Sequence, residues 1–524
     1  MDDYLLIRSF FRDRIIRDPE RVAIFEYDSG KKYTYRDLMD RSRRVAVYLK
    51  KIGVGKNDRV AICARNSQWC FDLLFAMPLV GSILTTYNNR LKSTELHSLL
   101  QAEAPRVLFY EAFFADKVSA FKTFMEGTVF VALDGPRGPE DTSYEDILSA
   151  EDTCEEDWSG LGMEDILMLC HTGGTTGVPK AAKISYRSVF YNTMNQVLEY
   201  NTSAQDKMYV SFPLFHIAAW STALSIMQSG GCIIFKRVFD TDDTLKMIEG
   251  ERLTIISGSP AIYQRMALSP AFEDTDFSSI RCVRCGAAPP SREAMEPYWK
   301  KGLVFLNVYG MTESGTGILS LPIGSTTIET LIDKVGSAGK PMAFTDLRIV
   351  DEQGQDVEGG QAGELLVKSA MLFSGYWNNE EETSNTLRDG WLHTGDMARR
   401  DKDGFYFICG RKKHMYISFG ENIFPLEIET FIMSWPETAD CYVFGVPDRE
   451  RGEVGKALVA LKEGTVLSAE EITQRLKGHF STIKVPRYVE LVDKIPRNDV
   501  GKVLSRTVVE LYSPKNTTGG NEHV

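Results

Sequence analysis

Hydrophobic residues occur in short runs along the first 400 residues, and stretches with the spacing of amphipathic helices separate these runs. This alternation is typical of α/β layers, in which parallel strands alternate with helices. The stretch 241–252 is one such predicted helix, and its Thr-Asp start supplies a cap. The clearest predicted strands cover residues 59–63, 107–110, 208–212, 232–236, 254–257 and 303–308.

Beyond residue 340 the pattern changes to short alternating strands joined by turns such as DEQGQ, RDG and DKDG, which predicts an antiparallel β subdomain. A second change follows Gly410. From residue 427 a helix–strand–strand–helix succession is predicted, in which Ser468 and Glu471 form a capping box. We therefore predict an α/β protein with a large N-terminal domain over residues 1–410 and a small α+β domain after it.

Composition and charge argue against several classes of protein. A chain of 524 residues exceeds what one core usually serves, so at least two domains are expected. The formal net charge of −12 argues against nucleic acid or an anionic membrane as the main partner, because neither would be attracted by the overall field. The N-terminal residues lack the pattern of a secretory signal, and no apolar run reaches the length of a membrane span. We expect a cytoplasmic protein without a transmembrane segment.

Residues 171–183 read HTGGTTGVPKAAK and directly follow the apolar run 166–170, which predicts a buried strand. Glycines allow backbone N–H groups to approach an oxyanion, and hydroxyls and a lysine add donors and positive charge. The common NTPase loop requires GxxxxGK followed by Ser or Thr, whereas Lys180 here follows a proline and precedes Ala181. The pattern favours a polyphosphate-binding loop of another kind, and a surface turn without a ligand is the alternative.

Five further segments accompany this Gly/Thr loop in a fixed order. They are PLFHIAAW at 213–220, NVYGMTES at 307–314, WLHTGD at 391–396, GRKKHMYISFGENIFPLEIE at 410–429 and PRNDVGK at 496–502. Together the six segments resemble the adenylate-forming superfamily of acyl-CoA synthetases, peptide-synthetase adenylation domains and luciferases. The resemblance implies that a small carboxylic acid attacks the α-phosphate of ATP, releases pyrophosphate and is then passed to coenzyme A. It also implies stacked α/β sheets and a mobile domain over 414–524 that rotates about a hinge at 411–413.

The resemblance assigns most of the nucleotide site residue by residue. Asp396 matches the carboxylate that accepts from the ribose hydroxyls, and Arg411 supports the same ribose. Tyr309 is expected to stack on the adenine. The positions that match the family's other nucleotide-binding residues are Thr172, Gly173, Gly174, Thr176, Gly177 and Lys180 in the Gly/Thr loop, Gly286, Ala287, Ala288 and Pro289 in the adenine-side turn, and Gly310, Met311 and Thr312 after Tyr309.

Four residues match catalytic positions of the family. Thr175 belongs to the loop that holds the β- and γ-phosphates, and Glu313 matches the position that helps hold Mg²⁺. Lys502 matches the lysine that bridges the carboxylate and the α-phosphate in the transition state. His216 matches the gate between the nucleotide and the acid pocket, and a satisfied core histidine is its alternative interpretation. Amino-acid-activating members generally carry Asp there, so histidine favours an acid without an α-amine.

The thioester half-reaction is indicated by the segment that begins at residue 410. Lys413 matches the hinge position, and Gly420 matches the glycine past which pantetheine moves. This sequence departs from the pattern at His414, where an acidic residue is common, and at Phe419, where glycine is common. Both departures border the interface that moves.

The identity of the acid is the most open question. Ala218, Ala219, Gly315 and Gly317 leave space, whereas Trp220 is expected to shorten or shape the tunnel. A medium or longer aliphatic acid is the first choice, an aryl acid is second, and a carnitine-like acid stays open. Transfer to a carrier protein in place of free CoA, a non-catalytic nucleotide-binding regulator, and a homodimer in place of a monomer are alternatives that the pattern leaves undecided.

Overall fold

The computed structural model describes residues 2–150, 156–172, 180–288, 290–419, 421–497 and 503–513. Within these residues three sheets and their covering helices form a mixed α/β fold. None of the described helices combines the length and apolar character that crossing a bilayer requires.

One sheet has seven strands in the described part of the chain, in the order β7-β6-β5-β3-β4-β8-β9. All neighbours in it are parallel except β8 and β9, which are antiparallel. A hairpin that precedes it, β1 (Val22–Glu26) and β2 (Lys31–Thr34), belongs to the large sheet described below. The seven strands are β3 (Arg59–Cys63), β4 (Ile83–Thr86), β5 (Val107–Tyr110), β6 (Val129–Ala132), β7 (Thr142–Ser143), β8 (Ile166–Thr172) and β9 (Lys180–Ser185).

The large sheet has fourteen described strands, and its main path runs β17-β18-β20-β21-β16-β15-β14-β13-β12-β10-β11-β1-β2. The neighbours from β1 to β14 are parallel, and the strands from β14 to β21 pair antiparallel. The strands are β10 (Lys207–Val210), β11 (Cys232–Phe235), β12 (Ile255–Gly258), β13 (Cys282–Cys285), β14 (Phe305–Met311), β15 (Gly315–Ser320), β16 (Ser337–Pro341), β17 (Thr345–Val350), β18 (Gly363–Ser369), β19 (Leu387–Arg388), β20 (Trp391–Arg400) and β21 (Tyr406–Arg411).

The third sheet lies in the C-terminal part and packs on helices of its own. Its strands are β22 (Tyr416–Ser418), β23 (Glu421–Ile423), β24 (Thr438–Asp448), β25 (Gly452–Leu461) and β26 (Tyr488–Leu491). The buried residues from Tyr416 onward form two hydrophobic clusters that are separate from the main core. This separation supports the predicted division near Gly410, which stays a prediction.

Helices cover both faces of the parallel strands, which is why those strands are apolar on both sides. Phe71, in the helix α4, stacks on Phe235 of the large sheet, while the same helix also packs on β4 of the seven-stranded sheet. The α-helices are α1 (Asp3–Arg8), α2 (Arg14–Arg17), α3 (Tyr35–Lys51), α4 (Gln68–Val80), α5 (Ser93–Glu103), α6 (Ala115–Lys122), α7 (Tyr144–Ser149), α8 (Tyr186–Tyr200), α9 (Ile217–Gln228), α10 (Thr241–Gly250), α11 (Pro260–Leu268), α12 (Ala271–Asp274), α13 (Arg292–Lys300), α14 (Ile328–Asp333), α15 (Glu380–Thr386), α16 (Pro425–Met433), α17 (Ala469–His479) and α18 (Ser505–Tyr512).

The six predicted strands are all present, and two of them, β3 and β5, have the predicted bounds. The capping box of α17 is confirmed, because the Ser468 hydroxyl accepts from the Glu471 N–H and the Glu471 carboxylate accepts from the Ser468 N–H. The predicted cap of α10 is wrong by one residue. The Asp240 carboxylate, just before the Thr-Asp pair, accepts from the Asp243 N–H.

The antiparallel strands beyond residue 340 are confirmed, but they do not form a sheet of their own. Strand β14 pairs parallel with β13 on one side and antiparallel with β15 on the other, so the two regions share one continuous sheet. Because β13, β14 and β20 belong to this one sheet, the segments that follow them lie along the same sheet.

Candidate active site

The Gly/Thr loop connects the two strands of an antiparallel hairpin. Thr172 at the end of β8 is the register partner of Lys180 at the start of β9. A strand therefore follows this loop, whereas a helix follows the loop of the common NTPases. The structure describes the two strands on either side of the loop. The predicted loop residues lie outside the described residues, and these are Gly173, Gly174, Thr175, Thr176 and Gly177.

His171, the residue before Thr172, anchors this hairpin. Its Nε2 lies 2.6 Å from the Glu103 carboxylate at the end of α5, and its Nδ1 lies 3.1 Å from the backbone oxygen of Thr86. Burial alone would lower the pKa of the imidazole, but the Glu103 charge and hydrogen bond outweigh it and raise this pKa. In turn the charge and hydrogen bond of His171, helped by the hydroxyls of Tyr87 and Thr85, lower the pKa of Glu103 despite its burial. Sequence analysis missed Glu103, because 68 residues separate it from His171.

Lys180 and Glu313 are brought together through a residue that sequence analysis missed, Tyr376. The ammonium of Lys180 lies 5.3 Å from the centre of the Tyr376 ring and forms an ion pair with Glu382 of α15. The Tyr376 hydroxyl donates to Glu313 Oε1 at 2.7 Å. Burial, followed by the nearby Glu313 carboxylate, raises the pKa of Tyr376, so this hydroxyl stays a donor.

Tyr376 reaches this position because residues 374–377 run along β9. The N–H of Lys183 donates to the oxygen of Gly375, and the N–H of Trp377 donates to the oxygen of Ala181. The motif pattern carries no signal for this pairing, since nearly two hundred residues separate the partners.

Glu313 lies in the turn of the β14–β15 hairpin and is 6% exposed. Gly310 precedes this turn, and a Cβ there would lie 2.6 Å from the backbone oxygen of Gly315, so only glycine fits. Among the described residues no three His, Cys, Asp or Glu side chains form a metal cluster. One buried carboxylate near the hairpin that flanks the predicted phosphate-binding loop nevertheless suits Mg²⁺, which is bound through one or two carboxylates together with substrate phosphates and water.

Tyr309, near the end of β14 just before this turn, forms a second group with Asp396 and Arg411. The Tyr309 hydroxyl donates to Asp396 Oδ2, and Arg411 Nε lies 2.7 Å from Asp396 Oδ1. Asp396 and Arg411 are register partners on β20 and β21. Burial, and then the Asp396 charge, raise the pKa of Tyr309.

The predicted adenine-side turn follows β13. The N–H of Gly286 donates to the oxygen of Gly258 at 3.2 Å, and Ala287 has a φ of 72°, a left-handed conformation that is uncommon for alanine. Ala287 and Ala288 are exposed, and Pro289 lies outside the described residues.

His216 precedes α9, and its ring contacts that of Phe215. Burial, with a smaller effect of the Arg90 charge, lowers the pKa of His216 to about 4, so the imidazole is neutral at neutral pH. Its Nε2 is buried without a hydrogen-bond partner among the described residues.

A narrow cavity lies between α8 and α9, below the turn of the β14–β15 hairpin. Thr312 and Gly315 line its upper end, and Trp220 and Ser221 line it from α9. Its free volume is about 10 Å³, so a bound acid requires the lining side chains to move. Trp220 is 1% exposed and packs against the Phe71 ring, which blocks the cavity on that side.

The remaining predicted residues belong to the C-terminal part. Lys413 is exposed in a 3₁₀ turn, Lys412–His414, between β21 and β22. Gly420 and Lys502 lie outside the described residues. Phe419 has a φ of 50°, the region where glycine is favoured, and its exposed ring lies 5.0 Å from the Arg451 guanidinium.

Comparison with known proteins identifies the family. Residues 11–377 match the AMP-binding enzyme family, and residues 427–502 match the AMP-binding enzyme C-terminal domain. The chain belongs to the AMP-binding enzyme family. Within this adenylate-forming superfamily it is an acyl-CoA ligase, an AMP-forming acid–thiol ligase.

Three relatives of this acyl-CoA ligase illustrate the range of the family. A feruloyl-CoA synthase of Amycolatopsis sp is 34% identical over 91% of this chain and 94% of the relative. An indoleacetate–CoA ligase of Aromatoleum aromaticum is 33% identical over 92% and 94%. A long-chain-fatty-acid–CoA ligase of Mycobacterium tuberculosis is 30% identical over 96% and 97%.

The fold matches solved structures of the same family. The ATP-bound MatB of Rhodopseudomonas palustris superposes with a TM-score of 0.88, covers 98% of this chain and 99% of its own, and is 27% identical. The predicted α/β fold with a large N-terminal and a small C-terminal domain is thereby confirmed.

Proposed function

We propose that this acyl-CoA ligase activates a compact aryl or arylalkanoic acid with ATP and transfers the acyl group to free coenzyme A. The observation that supports this most is the β14–β15 hairpin. Tyr309 contacts Asp396, Glu313 contacts Tyr376 beside Lys180, and Thr312 lines the cavity between α8 and α9. One hairpin therefore contacts the residues proposed to bind the ribose, the residues proposed to bind the phosphates, and the cavity proposed to bind the acid.

In the proposed reaction the carboxylate of the acid attacks the α-phosphorus of ATP, and pyrophosphate leaves. Asp396, oriented by Arg411 and Tyr309, accepts from the ribose hydroxyls and fixes the nucleoside. Lys180 and the Gly/Thr loop neutralise the β- and γ-phosphates of the leaving group. A Mg²⁺ ion held by Glu313 and the phosphates would neutralise further negative charge. Lys502 bridges the carboxylate and the α-phosphate, and the thiol of CoA then attacks the acyl carbon and releases AMP.

The cavity favours an aromatic acid over the aliphatic acid that was the first choice from the sequence. Trp220 blocks the direction in which a long chain would extend, and its removal from this position would break its packing on Phe71. Two residues that line the cavity have a buried polar atom without a hydrogen-bond partner among the described residues, namely Thr193 Oγ1 and Trp220 Nε1. Buried polar groups are normally paired, so an acid with polar ring substituents fits this lining better than an alkyl chain does. The feruloyl and indoleacetate ligases among the relatives also act on aryl acids.

An acid panel tests the proposal. Pyrophosphate release and acyl-CoA formation are measured with ATP, free CoA, and aliphatic, aryl and arylalkanoic acids of increasing length. We expect aryl acids to have the highest kcat/KM and to yield thioester. Preference for acids of twelve carbons or more contradicts the proposed substrate class, and acyl-AMP without thioester contradicts free CoA as the acceptor.

Trp220→Ala sharpens this test, because it removes the ring that blocks the cavity. We expect kcat/KM for longer aliphatic acids to rise at least ten-fold relative to that for short aryl acids. Trp299→Phe in α13, a change of another buried tryptophan that does not line the cavity, is the control for general effects of altered packing.

A further inference from the structure

Arg284 of β13 is a buried cation, 3% exposed, for which the described residues supply no carboxylate partner. Its Nη2 donates to the side-chain oxygen of Gln196, and its guanidinium lies 3.8 Å from the centre of the Tyr200 ring. Its Nε and Nη1 have no hydrogen-bond partner among the described residues. Burying an arginine without an acidic partner is expensive, so this position calls for an explanation.

The explanation lies in the direction of the hydrogen bonds that start from Arg284. A guanidinium has only donors, so Gln196 must turn its oxygen towards Arg284. The amide nitrogen of Gln196 then faces the opposite way and donates to Asn192 Oδ1 at 3.1 Å and to Thr316 Oγ1 at 3.0 Å. Because Asn192 Oδ1 accepts from Gln196, the Nδ2 donor of Asn192 points away from Gln196.

Asn192 is one of the residues that line the acid cavity. Its Nδ2 lies over Gly315, where a Cβ would approach this nitrogen to 2.3 Å, and Gly315 lines the same cavity. The absence of a side chain at Gly315 therefore leaves room for the Asn192 amide. The chain Arg284–Gln196–Asn192 ends in an N–H donor at the wall of the cavity.

We infer that this chain selects acids that carry a hydrogen-bond acceptor, such as an ether, phenol or carbonyl oxygen, on the part of the acid that enters the cavity. Asn192 donates to the acceptor, and Arg284 is a positioning residue that fixes the amide orientation of Gln196 and Asn192. This inference rests on the proposed function, in which the cavity binds the acid. Without Arg284 both amides could reverse, and Asn192 would then present an oxygen to an oxygen of the acid.

Pairs of acids that differ in one atom test the inference. Cinnamic acids with a methoxy group at each ring position are compared with the matching ethyl compounds, which replace the oxygen by CH₂. We expect the native enzyme to prefer the methoxy acid at one ring position by about ten-fold in kcat/KM, because the ethyl compound leaves the buried N–H unpaired. Asn192→Leu should reduce this ratio to near one.

Arg284→Met tests the positioning role, because methionine removes the donors and keeps an unbranched side chain. We expect the methoxy-to-ethyl ratio to fall as in Asn192→Leu, and Arg284→Lys, which keeps a donor-only cation, to retain part of it. The double variant Arg284→Met/Asn192→Leu should have the same methoxy-to-ethyl ratio as Asn192→Leu alone, because both changes remove the same donor. Arg281→Met is the control, because Arg281 pairs with Asp206 and does not line the cavity.

The outcomes separate the inference from the proposed function. If aryl acids are activated but both single variants keep the native ratio, the inference is overturned and the proposed function stands. If no aryl acid releases pyrophosphate, the proposed function itself fails. A fall in activity that is equal for both members of each acid pair indicates a structural role for Arg284 and also overturns the inference.

Discussion

Single residues in this site have partners that define their chemistry before any ligand binds. Lys180 forms an ion pair with Glu382 and contacts the ring of Tyr376, whose hydroxyl donates to Glu313. The ammonium of Lys180 therefore has a counter-ion, which the triphosphate replaces in the proposed function. The other two glutamates in the first turn of α15, Glu380 and Glu381, are exposed.

Replacing Glu382 should strengthen the binding of ATP. In Glu382→Gln the competing carboxylate is removed, and we expect the KM for ATP to fall about two- to five-fold at low ionic strength, since partly exposed ion pairs are weak. The measurement is pyrophosphate release against ATP concentration at two salt concentrations. Glu381→Gln carries the same change of charge and should have little effect. A higher KM in Glu382→Gln would mean that Glu382 orients Lys180 and does not compete for it.

Among the elements, the hairpin β8–β9 depends on a contact with the helix α5. His171 at its base pairs with Glu103, which is 1% exposed at the end of α5. A buried pair of this kind loses stability strongly when one partner is removed, because the other charge stays buried without compensation. The contacts of His171 with Glu103 and Thr86 therefore connect α5 and β4 to the end of β8.

Glu103→Gln should lower the stability most in a defined range of pH. The lowered pKa of Glu103 adds stability above the ordinary glutamate pKa of about 4.5, and this stability is lost as the pH falls. The raised pKa of His171 adds stability below its ordinary value of about 6.5, and this is lost as the pH rises through the raised pKa. We expect a loss of up to about 3 kcal/mol between these two values.

Melting temperatures of the native protein and Glu103→Gln from pH 4 to pH 9 measure this difference. The gap between the two curves should be widest near pH 5 to 6.5 and should narrow on both sides. Glu126→Gln, a change at an exposed glutamate, should follow the native curve. A constant gap across the range would contradict an ion pair at His171.

The molecule as a whole combines a continuous large sheet with a C-terminal part that has its own hydrophobic clusters. The residues predicted to bind the ribose, the phosphates and the acid all belong to the part before residue 412, whereas the predicted catalytic lysine, Lys502, belongs to the C-terminal part. Separate cores permit the two parts to move relative to each other, which is what the resemblance implies for the two half-reactions.

Lys502→Ala should remove adenylation and spare the second step. We expect acid-dependent pyrophosphate release to fall by at least about one hundred-fold, as it does when a donor to a developing negative charge is lost. Thioester formation from preformed acyl-AMP and CoA should stay near the native rate. Lys494→Ala, a change at an exposed lysine close by, is the control. Loss of the second step alone would refute the assigned role.

Local pattern was sufficient for several elements, such as strands β3 and β5 and the capping box of α17. The family resemblance singled out Asp396 and Arg411, which the structure pairs, and Glu313 and Lys180, which it joins through Tyr376. Their roles at a nucleotide stay predictions. The predicted cap of α10 was wrong because three consecutive residues, 240–242, each have a side chain that could accept from the first N–H groups of the helix. The identity of the acid stays a prediction. The small residues near Trp220 favour an aliphatic acid, whereas the proposed aryl acid rests on the packing of Trp220 on Phe71, which no pattern reveals.

The sequence by itself determined the α/β architecture, the family and the nucleotide chemistry, because hydrophobic spacing and short motifs encode contacts among residues that are close along the chain. Only the tertiary structure decided that Tyr376 joins Lys180 to Glu313, that Glu103 pairs with His171, and that Arg284 donates to Gln196, which in turn donates to Asn192. Apart from Gln196 and Asn192, which are four residues apart on α8, these contacts join side chains brought together by strand pairing or helix packing across long separations. Their hydrogen-bond direction depends on burial and on the donors that surround them, and neither is set by the neighbouring residues in the chain.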